Sequence, residues 1–340
     1  MYETNLSNST LFPGTGYNRN SHHQDNIWNT VMYINIFLFI LGVAGNTANI
    51  IIMNTRSFRK INLSMYLITL SLFDLLVCIN GLPTLLEYFS SFDLQTIITS
   101  QEWSCKGFFL ILDIAMWCSS WTLVCISGER LIAVKFPHKV KLWCTKRFTY
   151  CTIIAVGLVI ILINVHHFFG IEIEEITIHA EKIKFCKPEK SFKMYLWTYL
   201  NLTFYCLLPS LFISSFNILI LYSLRKSDSL KSEHLTRLDK MSFRVDEPKM
   251  TAMLITNSIF YMLMTLPLSL FQLYHAVYGN LETTGSIVFS HSDLSFAVVD
   301  TLHQVNHVGN FYLYVLAGKS FRKEVFKILK TVITNKDREC

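Results

Sequence analysis

Apolar residues run in long, nearly uninterrupted stretches separated by short polar ones. The stretches are Thr30–Thr55, Ile61–Leu86, Gly107–Ser127, Phe148–Ile171, Met194–Leu224, Met250–Tyr278 and Leu294–Gly318, and the only charges inside them are Asp74, Asp113 and Asp300. A bilayer core of about 30 Å needs about 20 apolar residues in helical form, because the backbone must satisfy its own hydrogen bonds there. Membrane barrels read instead as alternating segments of about 10 residues, which these are not. The pattern predicts an all-α membrane protein, a seven-transmembrane helix bundle whose third, fifth and sixth helices extend beyond the bilayer. Between the fourth and fifth runs the period changes. Ile176-Thr177-Ile178 and Lys182-Ile183-Lys184-Phe185 alternate around His179-Ala180-Glu181, which predicts a β-hairpin.

Composition removes the soluble alternatives. Of 340 residues, 51% are hydrophobic and 16% charged, against about 25% charged in soluble domains, and the mean hydropathy is +0.37. A cytosolic enzyme, a disordered tail protein and a secreted disulfide scaffold are excluded. Lys and Arg set the orientation. The first, third and fifth connections and the C-terminal tail hold 22 of them, and the other side holds 7. The N-terminus is therefore expected outside and the C-terminus in the cytoplasm, in a multi-pass protein of the plasma membrane. The net charge of +6 reflects this cytoplasmic skirt and implies membrane lipid rather than nucleic acid as its partner.

Three regions follow: an extracellular tail (1–28), the membrane domain (29–318) and a cytoplasmic segment (319–340). Asn5-Leu-Ser and Asn8-Ser-Thr are glycosylation sequons on the expected outer side. Asn62-Leu-Ser and Asn201-Leu-Thr fall on the wrong side and within a span. No apolar h-region precedes Thr30, so a cleaved signal peptide is not expected. Of nine cysteines, only Cys105 and Cys186 fall on the outer side, where disulfides are permitted. Joined, they tie the third helix to the hairpin; the alternative is two free thiols on a mobile loop.

Residues along the whole membrane core resemble the rhodopsin-like G-protein-coupled receptors. They are Gly45-Asn46, Ser71-Leu72-Phe73-Asp74-Leu75, Cys105, Glu129-Arg130-Leu131, Pro137, Pro209, Pro267 and Asn310-Phe-Tyr-Leu-Tyr314. After them Phe321 to Lys330 forms a short amphipathic eighth helix suited to the inner membrane surface. Within the family, Ile132-Ala-Val-Lys-Phe-Pro-His-Lys-Val-Lys-Leu-Trp-Cys-Thr-Lys-Arg147, Thr265 to Ser269 and Asn306 to Gly318 resemble invertebrate neuropeptide receptors of the FMRFamide-like group. The sequence departs from the family at Leu131 (usually Tyr), Thr265 (commonly Trp), Tyr261 (commonly Phe), Asn217 (usually Tyr), His138 (usually apolar) and Phe311 (usually Pro), and the fourth span lacks a Trp.

The resemblance implies an allosteric sodium ion held by Asp74, Ser119, Asn306 and Asn310, and no other cofactor. It implies that Glu129, Arg130, Pro137, Pro267, Asn310 and Tyr314 carry activation and coupling to a heterotrimeric G protein. An ionisable group in the bilayer core is costly and marks a site by default. Asp113 and Asp300, in the outer halves of their helices, therefore read as unmatched carboxylates facing a pocket for a basic peptide, with Trp117, Gln272, Tyr274 and His303 as walls and hydrogen-bonding groups. Aminergic receptors place their amine-binding Asp where Leu112 stands, which argues against a monoamine. The expected function is transduction of an extracellular peptide signal, without catalysis. Two alternatives stand beside it: a small-molecule chemoreceptor of the same fold, and a seven-helix zinc-dependent membrane hydrolase, raised by His303 and His307 four apart on one helix face.

Overall fold

The structure, a computed structural model, describes residues 22–82, 101–136, 139–178, 181–189, 196–234, 247–278, 294–318 and 321–328, with single positions at 85, 86, 94, 97, 98 and 330. Seven long helices are present among them: α1 (His22–Met53), α2 (Leu63–Cys78), α3 (Glu102–Lys135), α4 (Lys146–Asn164), α5 (Leu208–His234), α6 (Glu247–Tyr278) and α7 (Leu294–Ala317). Six membrane-length apolar stretches lie on α1 to α6 and their short flanking turns. The helix α7 falls short of that apolarity because Asp300, His303, Gln304, Asn306, His307 and Asn310 interrupt it. His303, His307 and Asn310 bond to other helices, and Gln304 bonds to Asp300 within α7, so a polar sequence still makes a spanning helix. The expected overhang of the third, fifth and sixth helices is present: α3 has 34 residues, α6 has 32, and α5 runs on to His234. Asn5, Asn8, Pro137 and His138 lie outside the described residues.

Several helix ends have legible causes. Thr145 caps α4 by accepting the Phe148 N–H at 3.2 Å, satisfying one of the donors that a helix start leaves over. Arg322 closes the other end of the domain. Its Nη1 donates to the carbonyls of Val315 and Leu316 at 3.0 and 2.5 Å, the last carbonyls of α7, where a cation is favoured. Residues 321–328 then form a helix. Phe321 is buried against Phe58, Phe311 and Tyr314, while Phe326 is 67% exposed. This is the two-faced eighth helix expected from the sequence.

Helices in lipid gain nothing by hiding apolar surface from one another, so close packing at small residues and interhelical hydrogen bonds hold them. At Gly309 an added Cβ would lie 2.6 Å from the Phe260 ring, so α6 and α7 approach through that glycine. Asn46 on α1 donates to the carbonyl of His307 on α7 at 3.0 Å, and Asn49 donates to Ser71 Oγ on α2 at 2.6 Å. Continuous with α5 and extending it backward, a π-helix covers Asn201–Leu207, just before Pro209. Pro209 has no N–H to offer the carbonyl of Tyr205, four residues back. The Tyr261 hydroxyl on α6 donates to that carbonyl instead.

At one end of the bundle the expected hairpin forms. β1 (Ile171–Ile178) pairs antiparallel with β2 (Glu181–Pro188), with Ile173 opposite Cys186 and Glu175 opposite Lys184. Glu175 and Lys184 are ion-paired at 3.1 Å. A Cys105–Cys186 disulfide, Cα atoms 5.8 Å apart, pins the hairpin to the start of α3. Cys105 and Ile171 are buried there with Phe109, Ile173 and Trp197 packed around them. Removing a native disulfide from a small secreted domain costs about 2–5 kcal/mol, and a loss of that order is expected here. Cys186→Ala should lower the melting temperature of the purified receptor and its cell-surface level; wild-type values for both would count against the disulfide's structural role.

Candidate functional site

The middle of the bundle is organised around Asp74. Its carboxylate is fully buried on α2 and collects three polar partners from two other helices. Ser119 Oγ on α3 donates to Oδ1 at 2.7 Å, His307 Nδ1 on α7 lies 2.8 Å from the same oxygen, and Asn310 Nδ2 donates to Oδ2 at 2.5 Å. A carboxylate in a medium of low dielectric needs such partners, since an unpaired buried charge costs several kcal/mol. Two of the residues expected to surround Asp74, Ser119 and Asn310, do so. Asn306 is buried nearby on α7 without a hydrogen bond to Asp74. His307, which sequence reasoning offered only as half of a zinc pair, takes the remaining place.

From His307 the polar network continues to α5. Tyr205 Oη stands 2.8 Å from His303 Nε2 and 3.4 Å from His307 Nε2, and the three residues are buried. The two imidazoles thus share a tyrosine hydroxyl, and no group of three or more His, Cys, Asp or Glu fit to hold a metal is formed among the described residues. His303 belongs to this inner network rather than to an open pocket wall.

A second carboxylate cluster sits nearer the hairpin and corrects an expectation. Asp113 is not an unmatched acid facing a cavity; it is 2% exposed. Its Oδ2 lies 2.8 Å from His167 Nε2, in the short helical turn His167–Gly170 after α4, and accepts the indole N–H of Trp197 at 2.7 Å. Asp113 therefore clamps the end of α4 and the approach to α5 onto α3. Trp117, one turn further along α3, donates its indole N–H to Asn201 Oδ1 at 2.7 Å and stacks on Phe204 at 5.8 Å. It too is buried, between α3 and the π-wound turn of α5. His167, Trp197, Tyr205 and Asn201 were missed by sequence reasoning. His167 had a usable signal, an ionisable ring at the end of an apolar run, whereas the other three look like ordinary span residues.

The remaining expected pocket residues are more open. Asp300, half-buried on α7, accepts from Gln304 Nε2 at 2.8 Å. Gln272 is half-buried and Tyr274 is 59% exposed on α6. Of the two outer acids, Asp300 is the accessible one.

At the end opposite the hairpin, Arg130 is 8% exposed and Glu129 half-buried, in the last turns of α3. Cys144, in the connection to α4, accepts on its carbonyl from Asn62 Nδ2. Burial holds its thiol above the usual range, and the charge of Glu129 adds to this while Arg130 opposes it. Tyr314 is fully buried, and its hydroxyl has no partner among the described residues. Pro267 lies inside α6. Beside it, Thr265 and Ser269 donate to carbonyls four residues back, at 2.8 and 3.2 Å, a local bonding habit that bends helices.

Comparison with known proteins agrees with this arrangement. The chain is 27% identical over 212 residues to the Neuropeptide CCHamide-1 receptor of Drosophila melanogaster, a stretch covering 58% of this chain and 40% of the relative. It is 27% identical over 108 residues to the Neuromedin U receptor homolog nmur-2 of Caenorhabditis elegans, covering 32% of this chain and 26% of the relative. It is 22% identical over 315 residues to human G-protein coupled receptor 65, covering 91% and 88%. The chain thus matches well under half of the first two relatives and nearly all of the third. The family described as 7 transmembrane receptor (rhodopsin family) matches residues 45–314. That match runs from the second half of α1 to the last turn of α7, and on it the chain belongs to the rhodopsin family of seven-transmembrane receptors, a signalling receptor and not an enzyme.

Proposed function

We propose that the protein sits in the plasma membrane with its N-terminus outside, binds an extracellular peptide at the hairpin end, and passes the signal to a heterotrimeric G protein at the Arg130 end. The observation that carries the ligand class is the hairpin held on α3 by Cys105–Cys186. It builds a folded ledge beside the end of the bundle, and an extended peptide can lie along such a ledge and reach inward. The names of the two invertebrate relatives, both peptide receptors, support this choice over a small-molecule chemoreceptor. The excess of Lys and Arg at the Arg130 end supports the orientation.

A basic peptide fits best. On the expected outer side as a whole, 12 Asp and Glu outnumber 7 Lys and Arg, a bias that steers cations inward. Amidated peptides with Arg near their C-terminus carry that charge where the resemblance to FMRFamide-like receptors suggests. A peptide-library screen with calcium and cAMP readouts would supply the agonist. Asp300→Asn, at matched surface expression, should then weaken a cationic agonist by about 30-fold or more, the cost of leaving one partner of a desolvated pair alone. Potency within threefold of wild type would remove Asp300 from the pocket and leave the receptor reading intact. A screen in which only non-peptide odorants activate would overturn the peptide reading.

A further inference from the structure

Of the four residues that the family resemblance assigns to sodium, Ser119 and Asn310 bond directly to the Asp74 carboxylate and Asn306 does not. Sodium is a hard cation and needs a shell of oxygen atoms. Around Asp74 the groups point hydrogens, not lone pairs, at the carboxylate. Ser119 spends its proton on Oδ1, Asn310 turns its amide N–H to Oδ2, and the His307 ring occupies the remaining approach to Oδ1 at 2.8 Å. A cation beside Oδ1 would meet the imidazole N–H. His307 is 1% exposed; Asn46 holds its backbone carbonyl at 3.0 Å and Tyr205 contacts its ring Nε2 at 3.4 Å.

We propose that His307 replaces the cation from within the protein, so that the Asp74 site is closed to sodium and the resting receptor is indifferent to it. The proton accounting is consistent. An ionised carboxylate only accepts, so the His307 nitrogen facing it, Nδ1, carries a proton. His307 Nε2 then accepts from the Tyr205 hydroxyl, whose lone pair accepts in turn from His303 Nε2–H at 2.8 Å. One directed chain runs from His303 through Tyr205 and His307 to Asp74. It ties α7 to α5 and α2 without an exchangeable ion. The Tyr261 hydroxyl on the Tyr205 carbonyl brings in α6, and Ser119 brings in α3. The bundle's middle is therefore cross-linked by the protein's own groups, side chains and two backbone carbonyls.

The test needs no agonist. The purified full-length receptor is melted in sodium chloride and in choline chloride at equal ionic strength. Wild type should give the same curve in both salts; a saturable, sodium-specific rise in its melting temperature would overturn the proposal outright, whatever any variant does. His307→Ser removes the ring and offers a hydroxyl oxygen. It should acquire a sodium-specific rise of about 3 °C or more at saturating salt, and Asp74→Asn in the same background should abolish that rise. A His307→Ser protein that folds and still ignores sodium, or one whose response survives Asp74→Asn, would show that His307 is not what closes the site. Should His307→Ser not fold, His307→Asn serves in its place, and the wild-type comparison decides the claim by itself.

Discussion

Arg130→Ala is expected to leave agonist affinity within about threefold of wild type while reducing nucleotide exchange on the G protein by at least about 30-fold, the scale of a hot-spot arginine. The two effects separate because of where Arg130 lies. From Cys105, at the hairpin end of α3, to Arg130 is 25 residues of continuous helix, which at 1.5 Å each is about 37 Å. No peptide held under the hairpin reaches that far. Arg130 is also 8% exposed, a permanently charged guanidinium held in the last turns of α3 beside Glu129, with Cys144 and the basic connection around it. A planar five-donor group at that place is suited to receiving carbonyls of a docked helix. Lysine, a point charge on a flexible stem, should restore little of the exchange rate. Labelled-agonist binding and GTP-analogue uptake in the same membranes measure the two quantities. Unchanged efficacy in Arg130→Ala would show that coupling does not pass through this residue.

The second large effect should come from His167→Ala. This substitution leaves the Asp113 carboxylate buried with, among the described residues, only the Trp197 indole as partner, and breaking a buried pair from one side costs about 3–5 kcal/mol. Both the melting temperature and the surface level should fall sharply. Asp113→Asn should cost less, because a neutral amide can still accept from Trp197 and leaves no stranded charge. The double variant should be more stable than the sum of the single losses predicts, by about 0.5–3 kcal/mol. This pattern distinguishes a clamp from a ligand contact. If His167→Ala melts like wild type while Asp113→Asn weakens a cationic agonist about 30-fold, then Asp113 acts on the ligand and not as a clamp.

Much of this protein is legible in its sequence. The spans follow from the cost of unsatisfied backbone in lipid, and the order of Asn46, Asp74, Arg130, Pro209, Pro267 and Asn310 places the family. The hairpin follows from alternation, and its attachment to α3 from two cysteines on one side of the membrane. What was not legible is how the acids are spent. Asp113 and Asp300 look alike along the chain, each a carboxylate in the outer half of an apolar run. One proves to be sealed between His167 and Trp197, and the other stays accessible beside Gln304. His303 and His307 read as a metal pair by spacing alone, yet a tyrosine on another helix holds them.

The reason is the range of the forces involved. Burying apolar surface and satisfying a helix's own backbone are local problems with periods of a few residues, so the chain states their solution directly: seven helices, their ends and the candidate ionisable groups. Pairing a buried charge is settled by whichever donor the packed bundle brings within 3 Å. His307 reaches Asp74 across 233 residues of chain, and Tyr205 reaches His303 across 98. No local pattern encodes which face of α7 turns to α2, or that the π-wound turn before Pro209 swings Tyr205 toward both histidines. The sequence determined a rhodopsin-family bundle with polar groups in its core; only the tertiary packing decided which of those groups are already bound to one another.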